Sequence, residues 1–553
     1  MPTINIDPND LSRLLGEDYS LEDLEPSLQN LGMEVEGITQ EELKLEVPHN
    51  RSDLFSVEGV ARSLKGYLDI ETGRPNYEVK KPTIEVKVDS SIEKTRPIIV
   101  AGMIENIKFN DASLKALMDL QEKLHQILGR DRNKISIGTY DLDKAKPPIK
   151  YTTVKPNEIK FVPLEFKEEL TPAEILEKHP KGIEYSHLIE EFDRYPLLVD
   201  SEDQVLSMPP IINSESNRVT KNTERLMIDV TGINENVARE ALKVIMTASG
   251  ERNYSLRAVK INHHDGNFWT PNTRTVRRKL SIENANEKLG LNLSPKEASG
   301  IMERMRYDVE EIKEDRIYVR VPLHRSDIMH EVDLIEDLGI GFGYDKLEPS
   351  LPPVLTTGEV HPIEKISRKA RRVLTGLGFT EVMTFVLTNP ELNFDSMRIE
   401  NGAATISNPI SEEYSILRTW LLPGLMSVLQ ENKHHELPQK IFEVGDVVSL
   451  TEETETKSKN IRRAAGAIAG EDANFTYAKA VAESLLRELG LNWEIESFEH
   501  ESFIHGRVAK ITNSNGEKIG VVGEIHPEIL LNFELEHPVA GFEIDLPEQR
   551  DFE

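Results

Sequence analysis

Val321-Pro-Leu-His-Arg-Ser-Asp-Ile-Met-His-Glu-Val-Asp-Leu-Ile-Glu-Asp-Leu-Gly-Ile-Gly-Phe-Gly-Tyr344 is the stretch on which the reading of this chain turns. Ahead of it, Arg316 to Val321 alternates apolar and polar residues, the pattern of a short strand. Pro322 ends that strand because proline has no N–H to give a ladder. Further on, Val332, Leu334, Ile335 and Leu338 recur at helical spacing, and Gly339, Gly341 and Gly343 are expected to stop the helix. Asp333, Glu336 and Asp337 then share one helical face, and Asp327 lies in the turn that leads into it. Four carboxylates brought together repel one another unless a cation sits between them. An all-oxygen set suits Mg²⁺, with Ca²⁺ second because no carbonyl-bearing loop is evident. The competing reading makes Asp327 an N-cap and the other three a solvated acidic face.

Working back along the chain, the same motif occurs earlier. Val47-Pro-His-Asn-Arg-Ser-Asp53 is followed by a helix carrying Val57, Val60, Ala61 and Leu64. A single ungapped offset of 274 residues (327 less 53) places Arg51-Ser52-Asp53 on Arg325-Ser326-Asp327, Val47-Pro48 on Val321-Pro322, and Leu15-Gly16 on Leu289-Gly290. One offset over some fifty residues means that a small α+β unit has been copied within the chain. The copies differ where chemistry would sit. Asp53 is kept, but Gly59, Arg62 and Ser63 stand where Asp333, Glu336 and Asp337 stand later. The fold therefore does not require those acids, which favours the metal reading for the second copy alone.

Composition bounds the rest. At 553 residues the chain should hold three to five domains, and 38% hydrophobic with 29% charged residues is ordinary for a globular protein. With no cysteine, disulfides, thiolate metal sites and thiol catalysis are excluded. The first residues have neither a basic region nor an apolar core, and no apolar run reaches membrane-span length, so an intracellular, cytoplasmic protein is expected. A net charge of −30 argues against gripping nucleic acid over the whole surface, while leaving room for a local basic groove or a basic partner.

Between the copies, strand-like runs (84–88, 98–104, 151–154 and Leu226-Met-Ile-Asp-Val-Thr-Gly232) alternate with helical patterns near 114–128 and 236–249. This reads as a mixed α/β domain with polar residues at strand ends. His263-His264 and His434-His435 are expected to be structural or surface residues, since neighbours on a strand face opposite sides. After an interdomain linker at Leu351-Pro-Pro-Val, a helix is expected over 363–377, strands near Ala464, Val508 and Val521, and a helix over 477–489.

The pattern R-x-D-x₅-D-L-x-E-[ED] at Arg325–Asp337 resembles the B5 domain of phenylalanyl-tRNA synthetase β subunits. Met208-Pro-Pro-Ile-Ile-Asn-Ser-Glu and Ile228-Asp-Val-Thr-Gly resemble the B3/B4 editing domain of the archaeal and eukaryotic form. Gly523-Glu-Ile-His-Pro-Glu528 and Phe542-Glu-Ile-Asp-Leu are similar to the family's catalytic-like domain. The resemblance implies an α+β multidomain chain. Residues 1–80 would be a B1-like first copy, 81–262 the editing domain, and 270–348 the B5-like second copy. Residues 352–553 would be a class II synthetase-like antiparallel-sheet domain.

It further implies Mg²⁺ on Asp327, Asp333, Glu336 and Asp337, near an α subunit in an α2β2 heterotetramer that charges tRNA(Phe). It also implies hydrolysis of tyrosine wrongly attached to that tRNA, because an apolar pocket shaped for phenylalanine rejects an added hydroxyl only about a hundredfold. On that reading Asp229 and Thr231, two apart on a strand, would bind the tyrosine hydroxyl, with Ser207 and Asn213 lining the pocket and Leu198 flanking the ring. Taken singly, each of these residues is also an ordinary turn former or strand-end residue.

No general base is evident, since His125, His179 and His187 show no partner in sequence. Neither an F-R-x-E nor a final G-x-G-x-x-R is present, and no G-x-x-x-x-G-K-[ST] occurs. Arg418, in Leu-Arg-Thr-Trp, is expected to be a packing corner. Activation of phenylalanine with ATP is therefore expected on the partner chain. Compared with bacterial β subunits, an N-terminal tRNA-binding-type insertion and an anticodon-binding domain after residue 550 are expected to be absent. The alternatives are a non-catalytic assembly or tRNA-binding protein of the same fold, and a stand-alone editing hydrolase.

Overall fold

A computed structural model describes residues 2–17, 19–39, 41–351, 356–400 and 402–547. From Pro352 to Val354 the expected linker lies outside the described residues. The chain divides into two compact units, Met1–Leu351 and Pro352–Glu553.

The duplication is exact in its architecture within the first unit. Strand Thr3–Ile6, helices Pro8–Leu15 and Leu21–Asn30, strand Glu34–Ile38 and helix Val57–Tyr67 begin 274 residues (277 less 3) before Arg277–Ser281, Ile282–Leu289, Pro295–Arg304, Asp308–Lys313 and Glu331–Phe342. Each copy builds a three-stranded antiparallel sheet with the last strand, Leu43–Glu46 or Arg316–Arg320, in the middle. Even the bulge recurs, between Val35 and Gly37 and between Val309 and Glu311. So do the caps: Ser20 and Ser294 accept from the third backbone N–H of their helices, and Gly16 and Gly290 close helices in the left-handed region.

The helix of the organising stretch runs further than its glycines suggested. Gly339 and Gly341 lie inside it, and the stop falls on Gly343 at φ +100°. A Cβ on Gly341 would lie 2.6 Å from Ile301 and 2.8 Å from Met305, so this glycine serves close approach to helix Pro295–Arg304 rather than termination. Val332, read as a core position, is exposed instead; Leu334, Ile335 and Leu338 carry the buried stripe.

Between the copies lies an eleven-stranded sheet. Its main path runs Ile212–Asn213, Val205–Met208, Tyr195–Val199, Ile149–Val154, Glu85–Val88, Ser255–His263, Ile98–Glu105, Arg225–Gly232 and Ile135–Asp141. Leu226, Ile228 and Val230 share a core with Leu117 and Leu120 of helix Asp111–Gln126 and with Ala241 and Leu242 of helix Glu235–Glu251. Period-two alternation sends Met227, Asp229 and Thr231 to the other face. There Met227 joins Tyr140, Tyr151 and Leu198 in a separate core. The two ends of the sheet path meet: Asn213 Nδ2 donates to Thr139 O at 3.2 Å.

In the second unit a seven-stranded sheet runs Thr380–Glu381, Gln439–Leu450, Ser458–Ala469, Val539–Asp545, Lys518–Ile525, Phe503–Thr512 and Glu494–Ser497, antiparallel except for the first pair. Helices Pro362–Gly376 and Phe475–Leu489 share one core with the sheet, and helix Leu422–Glu431 contributes to a second. Arg418 is the packing corner expected. It is buried, and its guanidinium donates to Glu443 at 2.7 Å and to Asp446 O at 2.9 Å. Among the described residues no helix is long and apolar enough to cross a membrane.

Candidate functional site

Where the ends of the large sheet meet, a cavity of about 110 Å³ opens. That is of the order of the ~150 Å³ which admits a benzene ring. Ser207, Asn213 and Asp229 line it, together with Gln121, His125, Arg132, Ser136, Gly138, Tyr140 and the apolar Leu164, Pro209, Ile211 and Ile212. Three of the five pocket residues expected from sequence are thus brought together. Leu198 and Thr231 lie outside the lining. Leu198 is fully buried opposite Tyr151, and Thr231 stands behind the wall, its hydroxyl 2.9 Å from that of Ser136.

Asp229 is fully sequestered, and its carboxylate accepts a hydrogen bond from the Tyr140 hydroxyl. Ser207 Oγ lies 2.8 Å from the same hydroxyl. Burial lifts the Asp229 carboxyl to about 7, opposed by the Tyr140 hydrogen bond and the charge of Arg96. Burial also raises Tyr140 well above its ordinary value, with Asp229 adding to the effect. Strand register explains the meeting: Asp229 pairs with Gly138, and a Cβ there would lie 2.4 Å from Asp229 Oδ1 and 2.0 Å from the Tyr140 oxygen. Gly138 makes room for the network. Sequence reasoning missed Tyr140, Gln121 and Arg132, because only the pairing of remote strands and the fold of the helix behind them bring these residues here.

Two of the three histidines, His125 and His179, do have partners. His125 Nε2 accepts the Ile137 N–H at 2.8 Å, and its Nδ1 lies 3.3 Å from Glu122. His179 Nδ1 accepts the Lys181 N–H, and its Nε2 lies 3.1 Å from Leu164 O. Both nitrogens of each ring are engaged, so these two rings brace the wall around the cavity instead of waiting for a proton.

Asp333, Glu336 and Asp337 lie on the helix and Asp327 in the turn before it, but they are in different states, and among the described residues no three of them bring ligand oxygens within 4.8 Å of one another. Arg325 holds both oxygens of Asp327, at 2.8 and 2.6 Å, and one oxygen of Asp337 at 2.6 Å, which Tyr307 also contacts. One oxygen of Asp333 caps the helix through the N–H groups of Met329 and His330. Glu336 has no hydrogen bond or ion pair among the described residues. Its carboxyl is pushed up by burial and by the charges of Asp337, Asp327 and Asp333. In the first copy the corresponding position is Arg62, buried, 3.7 Å from Asp53, which also pairs with Arg51. Two guanidiniums answer one carboxylate there; in the second copy one guanidinium pairs with two of the four.

His263 and His264 are at the surface, as expected, but not for the reason given. They do not diverge, because the hairpin turns at once after His263, and with Asp265 they gather at its tip.

Four family models match the chain in order. They are the Phe-tRNA synthetase beta subunit B1 domain over residues 1–70, the B3/4 domain over 95–264, the tRNA synthetase B5 domain over 278–344, and the phenylalanyl tRNA synthetase beta chain CLM domain over 347–546. The cavity falls in the second match and the carboxylates in the third. Such an order of modules defines a subunit of an aminoacyl-tRNA synthetase. The chain belongs to the family of phenylalanine–tRNA ligase beta subunits. It is 43% identical over 552 residues to that subunit of Methanocaldococcus jannaschii, covering 99% of this chain and 100% of the relative. The Archaeoglobus fulgidus subunit is 42% identical over 550 residues, covering 99% of this chain and 98% of the relative. A crystal structure of an N-terminal fragment of the phenylalanyl-tRNA synthetase beta subunit from Pyrococcus horikoshii superimposes with a TM-score of 0.60 at 41% identity, covering 62% of this chain and 99% of the fragment.

Proposed function

We propose that this chain is the proofreading and scaffolding subunit of an α2β2 phenylalanine–tRNA ligase, and that the cavity hydrolyses tyrosine misattached to tRNA(Phe). The observation that carries the reading is the polar end of that cavity, where Asp229, Tyr140 and Ser207 form one hydrogen-bonded group facing Leu164, Pro209 and Ile211. Apolar walls take an aromatic ring, and the buried polar group rewards a hydroxyl that phenylalanine lacks. A carboxyl near neutrality can either accept from or donate to that hydroxyl. Asn213 lines the cavity and, tied to Thr139 O, joins the two ends of the sheet path beside it. His125 and His179 position the walls. Water adds to the ester carbonyl, the ester C–O bond breaks, and the water's proton ends on the ribose oxygen that leaves.

Adenylation of phenylalanine belongs to the α subunit in the cytoplasm, since this chain has no ATP motif, and its second unit is a class II synthetase-like sheet without the catalytic arginines. A surface for a partner subunit is available on that unit. Met383, Phe385 and Ile410 are 92%, 77% and 108% exposed, and Phe385 packs edge-on against Tyr414.

The carboxylate set fits a hard cation in its charge. Glu336 is unpartnered, Asp333 and Asp337 each keep an oxygen free, and one arginine does not balance four acids. Glu336, Asp333, Asp337 and Asp327 would hold Mg²⁺, which supplies the missing positive charge beside the turn.

The test is a comparison on the assembled ligase. Asp229→Ala and Asn213→Ala should slow deacylation of tyrosyl-tRNA(Phe) by about ten- to a hundredfold while phenylalanine charging stays nearly intact. Thr231→Val should cost less, because it acts through Ser136. Unchanged hydrolysis in all three variants puts the editing site elsewhere. A wild-type ligase with no deacylation at all points to the assembly-protein alternative.

A further inference from the structure

We propose that His263, His264 and Asp265, with Glu93 close beside His264, form a binding site for one divalent transition-metal ion of the zinc class, distinct from the acidic set at Asp327–Asp337. The strand Ser255–His263 ends at His263, and its partner Gly266–Thr270 begins three residues later. Gly266 sits at φ +142°, a conformation side-chain-bearing residues rarely adopt, and this lets the chain reverse over His264 and Asp265 alone. On a continuing strand the two imidazoles would face opposite ways; across this turn their centroids are 4.2 Å apart. Glu93 reaches the same place from the short helical turn Ser90–Lys94.

For His263, His264 and Asp265 the spacing is that of a coordination sphere, and Glu93 stands beside His264 outside that group. His264 Nε2 lies 3.0 Å from Asp265 Oδ1 and 3.1 Å from Glu93 Oε1, and His263 Nδ1 lies 3.7 Å from Asp265 Oδ2. Tetrahedral ligands at about 2.0–2.1 Å from a zinc ion stand roughly 3.3 Å from one another. Among the described residues, His263, His264 and Asp265 are the one group of three or more such side chains whose ligand atoms all lie within 4.8 Å of each other. His263 Nδ1 receives only a long 3.4 Å contact from the Asp265 N–H, so little is lost when a metal takes that lone pair. Two imidazoles with one carboxylate select zinc, nickel or copper over magnesium, which shuns nitrogen ligands, and the neighbouring Glu93 supplies a second negative charge. All four side chains reach solvent, so the ion can enter. Once bound, it would clip the residue 90–94 turn to the hairpin tip at the edge of the large sheet.

The chain carries its own control. His434 and His435 stack in the same way, with centroids 4.2 Å apart, but among the described residues they pair with no carboxylate. The experiment uses the full chain assembled with its α subunit, stripped with EDTA and kept in millimolar Mg²⁺ to fill hard-oxygen sites. Zn²⁺ binding is read by calorimetry, and Co²⁺ by its visible absorption. One Zn²⁺-displaceable Co²⁺ site per β chain is expected. His264→Ala and Glu93→Gln should each weaken it by at least about tenfold, and His434→Ala should leave it unchanged. Because these residues are surface-exposed, folding is checked by an unaltered melting curve in EDTA. The proposal is overturned if the wild type takes up no Co²⁺ or Zn²⁺ at micromolar concentration, or if His264→Ala binds them as tightly as the wild type.

Discussion

Asp229→Asn should remove a pH dependence from the stability of the large sheet. The amide keeps the size of the carboxyl and can still accept from Tyr140, but it cannot ionise. In the folded chain the Asp229 carboxyl titrates at about 7 against an ordinary 3.8. A group raised in this way favours folding most at low pH, and its contribution is lost as pH rises toward the folded value. Between pH 5.5 and 8 the unfolded carboxyl stays ionised throughout, whereas the folded one must give up its proton in a dry site. Linkage over that interval amounts to about 2 kcal/mol, from about 1.36 kcal/mol per unit. Wild type should therefore lose about 2 kcal/mol relative to the variant between the two pH values, on the order of a thirtyfold change in the opening equilibrium. Hydrogen exchange of peptides spanning Arg225–Gly232, with wild type and variant compared at each pH, reads this strand and cancels the contributions of other groups. A difference that does not change with pH would refute the buried, near-neutral carboxyl. A carboxyl held ionised would give that flat result, because its titration would then lie below the ordinary 3.8, outside this pH window.

Gly138→Ala should close the same pocket, because the new methyl meets Asp229 and Tyr140. A loss of about 1–3 kcal/mol in urea unfolding is expected, together with loss of tyrosyl-tRNA(Phe) hydrolysis. Glu336→Ala should weaken Mg²⁺ binding by about tenfold or more, since it removes the one carboxylate of the set that no other described residue holds; equal Mg²⁺ content in wild type and in an Asp327/Asp333/Glu336/Asp337 quadruple variant argues that no metal binds there. Arg418→Met should cost the second unit about 3–5 kcal/mol by leaving Glu443 buried without its cation, and Arg418→Met/Glu443→Gln should recover much of it. Recovery is read from the denaturation midpoints of the two variants.

What the sequence determined by itself was whatever depends on local pattern and repetition. The offset of 274 residues (327 less 53) is a property of the string, and it carried the whole geometry of the first unit's outer modules: strand order, bulges and caps all repeat because the same short-range signals repeat. Asp333, Glu336 and Asp337 share a helix face because spacing along one helix fixes direction, and Asp229 and Thr231 share a sheet face for the corresponding reason on a strand. Tertiary structure decided what depends on distance along the chain. Tyr140 meets Asp229 across 89 residues because of strand register, and no local signal encodes register. Thr231 and Leu198 fall behind the cavity because facing the right side of a sheet is not the same as reaching a void. Arg325 claims Asp327 and Asp337, a competition for charge invisible to spacing. His263 and His264 gather with Asp265 where the chain reverses over His264 and Asp265, and that turn interrupts the strand alternation from which the pair had been read.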